Sequence, residues 1–84
     1  MAYQLATKLA VVLATDSSAE VRREAAFSLG RLASDGEGVV EALRDACHDR
    51  NGHVKGYAAK ALERIGTLES MRAVVEYLQT VRYA

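Results

Sequence analysis

The stretch Asp16-Ser17-Ser18-Ala19-Glu20-Val21-Arg22 returns as Asp49-Arg50-Asn51-Gly52-His53-Val54-Lys55. The copies lie 33 residues apart, the length of a two-helix repeat unit. The match continues downstream: Ala25-Ala26 with Ala58-Ala59, Leu29 with Leu62, Arg31 with Arg64, and Leu32 with Ile65. A unit of this kind cannot bury its apolar face alone, so successive units stack into one continuous core. Such a construction predicts surface recognition as the mode of action.

Outward from the repeat, the whole chain reads as helix. Its 84 residues make one domain, contain no proline, and are rich in Ala, Leu, Glu and Arg. Five helices are expected. The first covers about Ala2 to Ala14. The second covers Ala19 to Ala33, opened by a Ser17-x-x-Glu20 capping box, with Val21, Ala25, Leu29 and Leu32 inward. Ser34-Asp35-Gly36-Glu37-Gly38 is a turn. The third helix, about Glu37 to His48, puts Val39, Val40, Leu43, Ala46 and Cys47 on one face. Asn51 is the expected N-cap of the fourth, His53 to Ile65, and Gly66 its left-handed terminator. Thr67 opens the fifth, Leu68 to Arg82, with Met71, Val74, Val75, Leu78 and Val81 inward. Val39-Val40-Glu41 pairs with Val74-Val75-Glu76 at an offset of 35, which predicts a longer turn before the fifth helix than before the third. The organisation is then a leading half-unit 1–15, a first repeat 16–48 and a second 49–84.

The pattern Asp-x-x-x-x-Val-Arg-x-x-Ala-Ala-x-x-Leu-Gly-x-Leu, read from Asp16 to Leu32, resembles the HEAT-like repeats first described in phycobilisome lyases. The second copy, Asp49 to Ile65, carries Lys55 for the Arg and Glu63 for the Gly. The resemblance implies an all-α fold, a right-handed α-α superhelix of about two and a half repeats with alternate helices on opposite walls. It also implies a hydrogen-bonded ladder in which Asp16 and Asp49 face Arg22 and Lys55. An ammonium cannot make the planar two-pronged contact of a guanidinium, so Lys55 is the weaker rung.

Little in the sequence points to catalysis. Cys47-His48 and His53 are too few for a zinc site of four ligands. Neither histidine is followed by Glu, which the resemblance would require of a hydroxylase-type iron site. Ser17, Ser18, Ser34 and Ser70 sit where capping accounts for them, and no phosphate-binding glycine loop is present. No enzyme activity, cofactor or metal is expected. A single cysteine suits a reducing compartment, so a cytoplasmic location is expected. The apolar run Leu5–Ala14 is interrupted by Lys8 and is far shorter than the ~20 residues of a membrane span.

The expected function is that of a small scaffold or adaptor binding another protein. Candidate contacts are Glu41, Arg44, Arg72, Glu76, Tyr77 and Gln79 on the outward faces of the third and fifth helices. Tyr57 and Tyr77 differ between the copies (Glu24 and Ala42 stand opposite them), which suits contact anchors. The first helix is apolar nearly all round, and a terminal unit should be polar outside. Val11 and Val12 are therefore expected to meet a second copy or a partner. Two alternatives stand. The resemblance allows a bilin-handling factor, and Arg22, Arg31, Lys55 and Arg64 could form a basic stripe for nucleic acid. Eleven basic and eleven acidic residues cancel, which speaks against a mainly electrostatic grip on phosphates.

Overall fold

A computed structural model describes residues 2–34 and 36–83, with side chains over 4–34 and 36–81. Asp35 of the expected turn lies outside the described residues. The chain forms five helices: α1 (Ala2–Thr15), α2 (Ala19–Leu32), α3 (Val39–Ala46), α4 (Gly52–Ile65) and α5 (Leu68–Tyr83). Among the described residues there is no strand.

The helix ends follow local chemistry. Ser18, not Ser17, caps α2, its Oγ accepting from the Val21 N–H at 3.3 Å. The third residue of the helix is then Val21, so Glu20 falls out of register for a capping box. Asn51 caps α4, its Oδ1 accepting from the N–H groups of His53 and Val54. Thr67 Oγ1 accepts from the Ser70 N–H at 3.1 Å, and Ser70 Oγ donates to the Thr67 carbonyl, satisfying a fully buried hydroxyl. Gly66 ends α4 in the left-handed region, at φ 69°. Its repeat counterpart is Ala33, which takes the same conformation at φ 49° and ψ 38° to end α2.

The third helix is shorter than its sequence suggests. Gly38, at φ 78°, delays its start to Val39. The connection 33–38 thus precedes α3, whereas only Gly66 and Thr67 precede α5. The turn expected to be longer is the shorter one. The extra residues are wound into α5, because 68–73 are helical where the first repeat has loop.

Two layers result. The helices α2 and α4 pack together in one, and α3 packs between α1 and α5 in the other. Across the layers α1 faces α2, and α4 faces α3 and α5, while consecutive α2 and α3 scarcely touch. The Cα envelope is only 39 × 29 × 16 Å, so every helix keeps a face in solvent. One core runs from Ala6 in α1 to Val74 in α5, with Leu29, Leu43, Leu62, Val39 and Val54 fully buried. Small residues bring the layers close. A Cβ on Gly30 would lie 3.3 Å from Ala61 Cα, so glycine sets the α2–α4 approach.

Two inward assignments are corrected. Val21 is 41% exposed although its counterpart Val54 is fully buried. The helix α4 gains α2 as a neighbour in its own layer, and α2 has no such helix before it. In α5, Ala73 and Val74 are buried, but Met71, Val75, Leu78 and Val81 are exposed. The buried face is Ser70, Ala73 and Val74 with Tyr77 half-buried, rotated away from the apolar stripe.

Candidate functional site

Three charged residues, Asp16, Arg22 and Asp49, meet where the two repeats join. Arg22 Nε donates to Asp49 Oδ2 at 2.8 Å and Nη2 to Oδ1 at 3.1 Å, a two-pronged contact between units. Arg22 Nη1 donates to the Asp16 carbonyl at 2.9 Å. Asp49 Oδ1 also accepts from the Asn51 N–H, and Asp16 Oδ1 from the Ser18 N–H. The Arg22 hydrogen bonds, aided by the Asn51 amide and outweighing partial burial, hold the Asp49 carboxyl below its ordinary value. The same pairing with Asp49 raises Arg22, against partial burial. Lys55 makes no such contact: it is half-buried and, among the described residues, has no hydrogen-bond or ion-pair partner. In this structure the second-unit counterpart of Arg22 therefore carries no rung.

The candidate contacts on α3 and α5 divide. Glu41, Arg72 and Gln79 are exposed. Arg44 Nε stands 3.5 Å from Glu76 Oε1, an ion pair between α3 and α5 that lacks hydrogen-bond alignment. Tyr77 is half-buried and packs against the core, because position 77 shares the buried face with Ser70, Ala73 and Val74. On α1, Val11 is 58% exposed, while Val12 is half-buried against the core with Leu9. Ala6, Ala10 and Leu13 are buried, and Leu5 is exposed. At about 100° per residue, Leu5 and Val11 sit on different sides of α1 and form no single stripe.

The α5 stripe is continuous. Leu68, Met71, Val75 and Leu78 recur at three and four residues and are 73, 39, 52 and 56% exposed. They flank the polar face of Glu69, Arg72, Glu76 and Gln79. The periodicity is visible in the sequence, but the direction it faces depends on neighbours. Among the described residues, α3 has a neighbour of its own layer on both sides, whereas α5 has one.

A second surface lies on the α2–α4 layer. Phe27, Gly30, Arg31, Tyr57, Lys60, Ala61 and Arg64 line a groove of about 340 Å³. The Phe27 and Tyr57 rings meet edge to face, centroids 5.5 Å apart, and the Arg31 guanidinium sits 5.9 Å from the Phe27 centroid. The sequence reading found Tyr57, Arg31 and Arg64 but missed Phe27 and Lys60. The spacing that could have found them is present: Tyr57, Lys60 and Arg64 share one face of α4, as Phe27 and Arg31 share one face of α2.

Cys47 is buried, and burial, with Glu76 nearby, pushes its thiol up to about 11. That leaves it protonated and unreactive at neutral pH. His48 and His53 are exposed on either side of the α3–α4 turn. Among the described residues no cluster of metal-binding side chains forms, and no helix is long and apolar enough to cross a membrane.

The stacked helix pairs and the inter-unit rung define a helical-repeat protein. The sequence profile of the HEAT repeats matches residues 6–84, and the chain belongs to that family. No curated protein and no solved structure matches it.

Proposed function

We propose that this chain is a non-catalytic protein-recognition module that receives an amphipathic helix of a partner protein on the open face of α5. HEAT repeats generally serve as protein-interaction scaffolds. The observation that carries the reading is the exposed stripe Leu68, Met71, Val75 and Leu78. An aligned apolar row on one helix is a surface that association would desolvate, at about 25 cal/mol per Å² before the costs of binding. The occupant is argued from the fold itself. The helix α3 is covered on that side by α5, and a helix seated on α5 would repeat that packing. Glu69, Arg72 and Gln79 border the stripe and would form the polar rim of such an interface. The Arg22–Asp49 rung supports placing these repeats with the phycobilisome-lyase-type subgroup. A buried, protonated Cys47 supports binding over nucleophilic chemistry.

The test is site-specific photo-crosslinking in the source cell. A photoreactive residue at Val75 should yield a discrete protein adduct that Leu78→Lys abolishes. The same residue at Glu63, an exposed position on α4, should yield none. Equal labelling at the two positions would sink the reading. An adduct of twice the chain's own mass would make the partner a second copy.

A further inference from the structure

We propose that the α2–α4 groove is a second binding site, for a short acidic peptide segment with an apolar anchor residue. Its lining carries three cations, Arg31, Lys60 and Arg64, and no acidic side chain. All three are exposed, and none forms an ion pair among the described residues; the Arg31 guanidinium lies over the Phe27 ring. Among the described residues outside the groove, Arg22, Arg23 and Arg44 pair with carboxylates while Lys8, Arg50, Lys55 and Arg72 do not, so the groove is set apart by three cations on one lining with no acid among them. In a chain with no net charge, three unpaired cations around one groove concentrate positive potential there.

The walls define the rest of the ligand. Phe27 is 42% exposed and Tyr57 half-buried, and their edge-to-face contact fixes both rings. Gly30 and Ala61 make the floor, and their lack of bulk leaves depth for a side chain between the rings and the basic rim. An aliphatic or aromatic side chain fits that space. The cation–π contact with Phe27 places the Arg31 guanidinium at the groove, with its donors available for a carboxylate. A smaller groove lined by His53, Gly56, Tyr57 and Lys60 continues past Tyr57, so an extended segment has a path along α4.

A peptide fits better than a nucleic acid. Polyanion binding draws on many phosphate contacts, and this surface offers three cations. Of the basic stripe Arg22, Arg31, Lys55 and Arg64, Arg22 is engaged by Asp49 and Lys55 does not line the groove. The α3–α5 layer carries Glu41, Asp45 and Glu69, against the single cation Arg44, around another shallow groove, which disfavours a long polyanion wrapping the molecule.

The probe is a short fluorescent peptide alternating glutamate and leucine, followed by anisotropy at low and physiological salt. The expected result is saturable binding that weakens at least about tenfold in Arg31→Glu plus Arg64→Glu, and also in Phe27→Ala. Replacing the peptide's glutamates by glutamines should weaken it comparably. Circular dichroism of each variant verifies the fold, since the substituted side chains are exposed. Leu78→Lys, on the α5 stripe, should leave peptide affinity unchanged, which separates this site from that one. Binding indifferent to the double charge reversal would overturn the proposal. So would a single-stranded oligonucleotide that binds more tightly than the peptide at physiological salt.

Discussion

At the residue scale, the two copies of the repeat act as each other's controls. The left-handed position after α2 is Ala33, and after α4 it is Gly66. A Cβ in that conformation costs about 1 kcal/mol, which glycine avoids. Ala33→Gly should therefore stabilise the fold by about 0.5–1 kcal/mol and raise Tm by a few degrees, and Gly66→Ala should lower it by a similar amount. Thermal melts of both variants check the pair, and a drop in Tm for Ala33→Gly would mean that another conformation ends α2. The rung gives a pH-dependent prediction. Asp49 titrates below its ordinary value of about 3.9 in the folded chain. Its contribution is present above that value and is lost as pH falls through the lower, folded one. Asp49→Asn should melt below wild type at neutral pH, with the gap closing as pH falls below about 4. A gap that stays constant down to pH 2 would show that the Arg22 pairing contributes nothing through its charge.

At the element scale, α5 shows what periodicity can and cannot convey. Two substitutions separate its stripe from the core. Leu62→Ala removes a fully buried side chain and should cost about 2–5 kcal/mol, a large share of an 84-residue domain's stability. Val75→Lys with Leu78→Lys should change stability by less than about 0.5 kcal/mol, since both positions face solvent. Denaturant titration measures each, and a large loss in the double variant would place the stripe inside. The helices themselves were legible. Asn51, Thr67 and Gly66 announce their ends by side-chain chemistry and φ preference, and Leu29 and Leu62 repeat at a spacing that only a shared core explains. Which side of a helix is covered was not legible at the ends of the stack. Val21 and Val54 are the same residue in the same repeat position, yet one is exposed and the other buried. Met71, Val75 and Leu78 look like a core face because apolar periodicity is blind to whether a neighbour follows. The groove was half legible for a related reason. Phe27 and Tyr57 lie on different helices in different units, at non-equivalent repeat positions, so only the α2–α4 packing brings the rings together.

At the scale of the whole molecule, a two-layer stack makes stability a matter of neighbours. The helix α4 touches α2, α3 and α5, and α2 touches α1 and α4, whereas α5 rests on α3 and α4 and presents its stripe to solvent. The fully buried Leu29, Leu62 and Leu43 lie in α2, α4 and α3. Local opening draws on the elements with fewest buried contacts, so the ends should open before the centre. Amide hydrogen exchange should then show the greatest protection in the middle turns of α2 and α4 and the least in the C-terminal half of α5, beyond Val75. A helix seated on Met71, Val75 and Leu78 covers the exposed stripe of α5, so the crosslinked partner should slow exchange across α5 while leaving α2 unchanged. An acidic peptide in the α2–α4 groove should do the reverse, protecting the turns around Phe27 and Tyr57 and leaving α5 fast. Uniform protection in the free chain would mean that the stack opens as one unit and that α5 is not its loose end. Uniform slowing by either ligand would mean that the two surfaces are coupled through the core rather than independent.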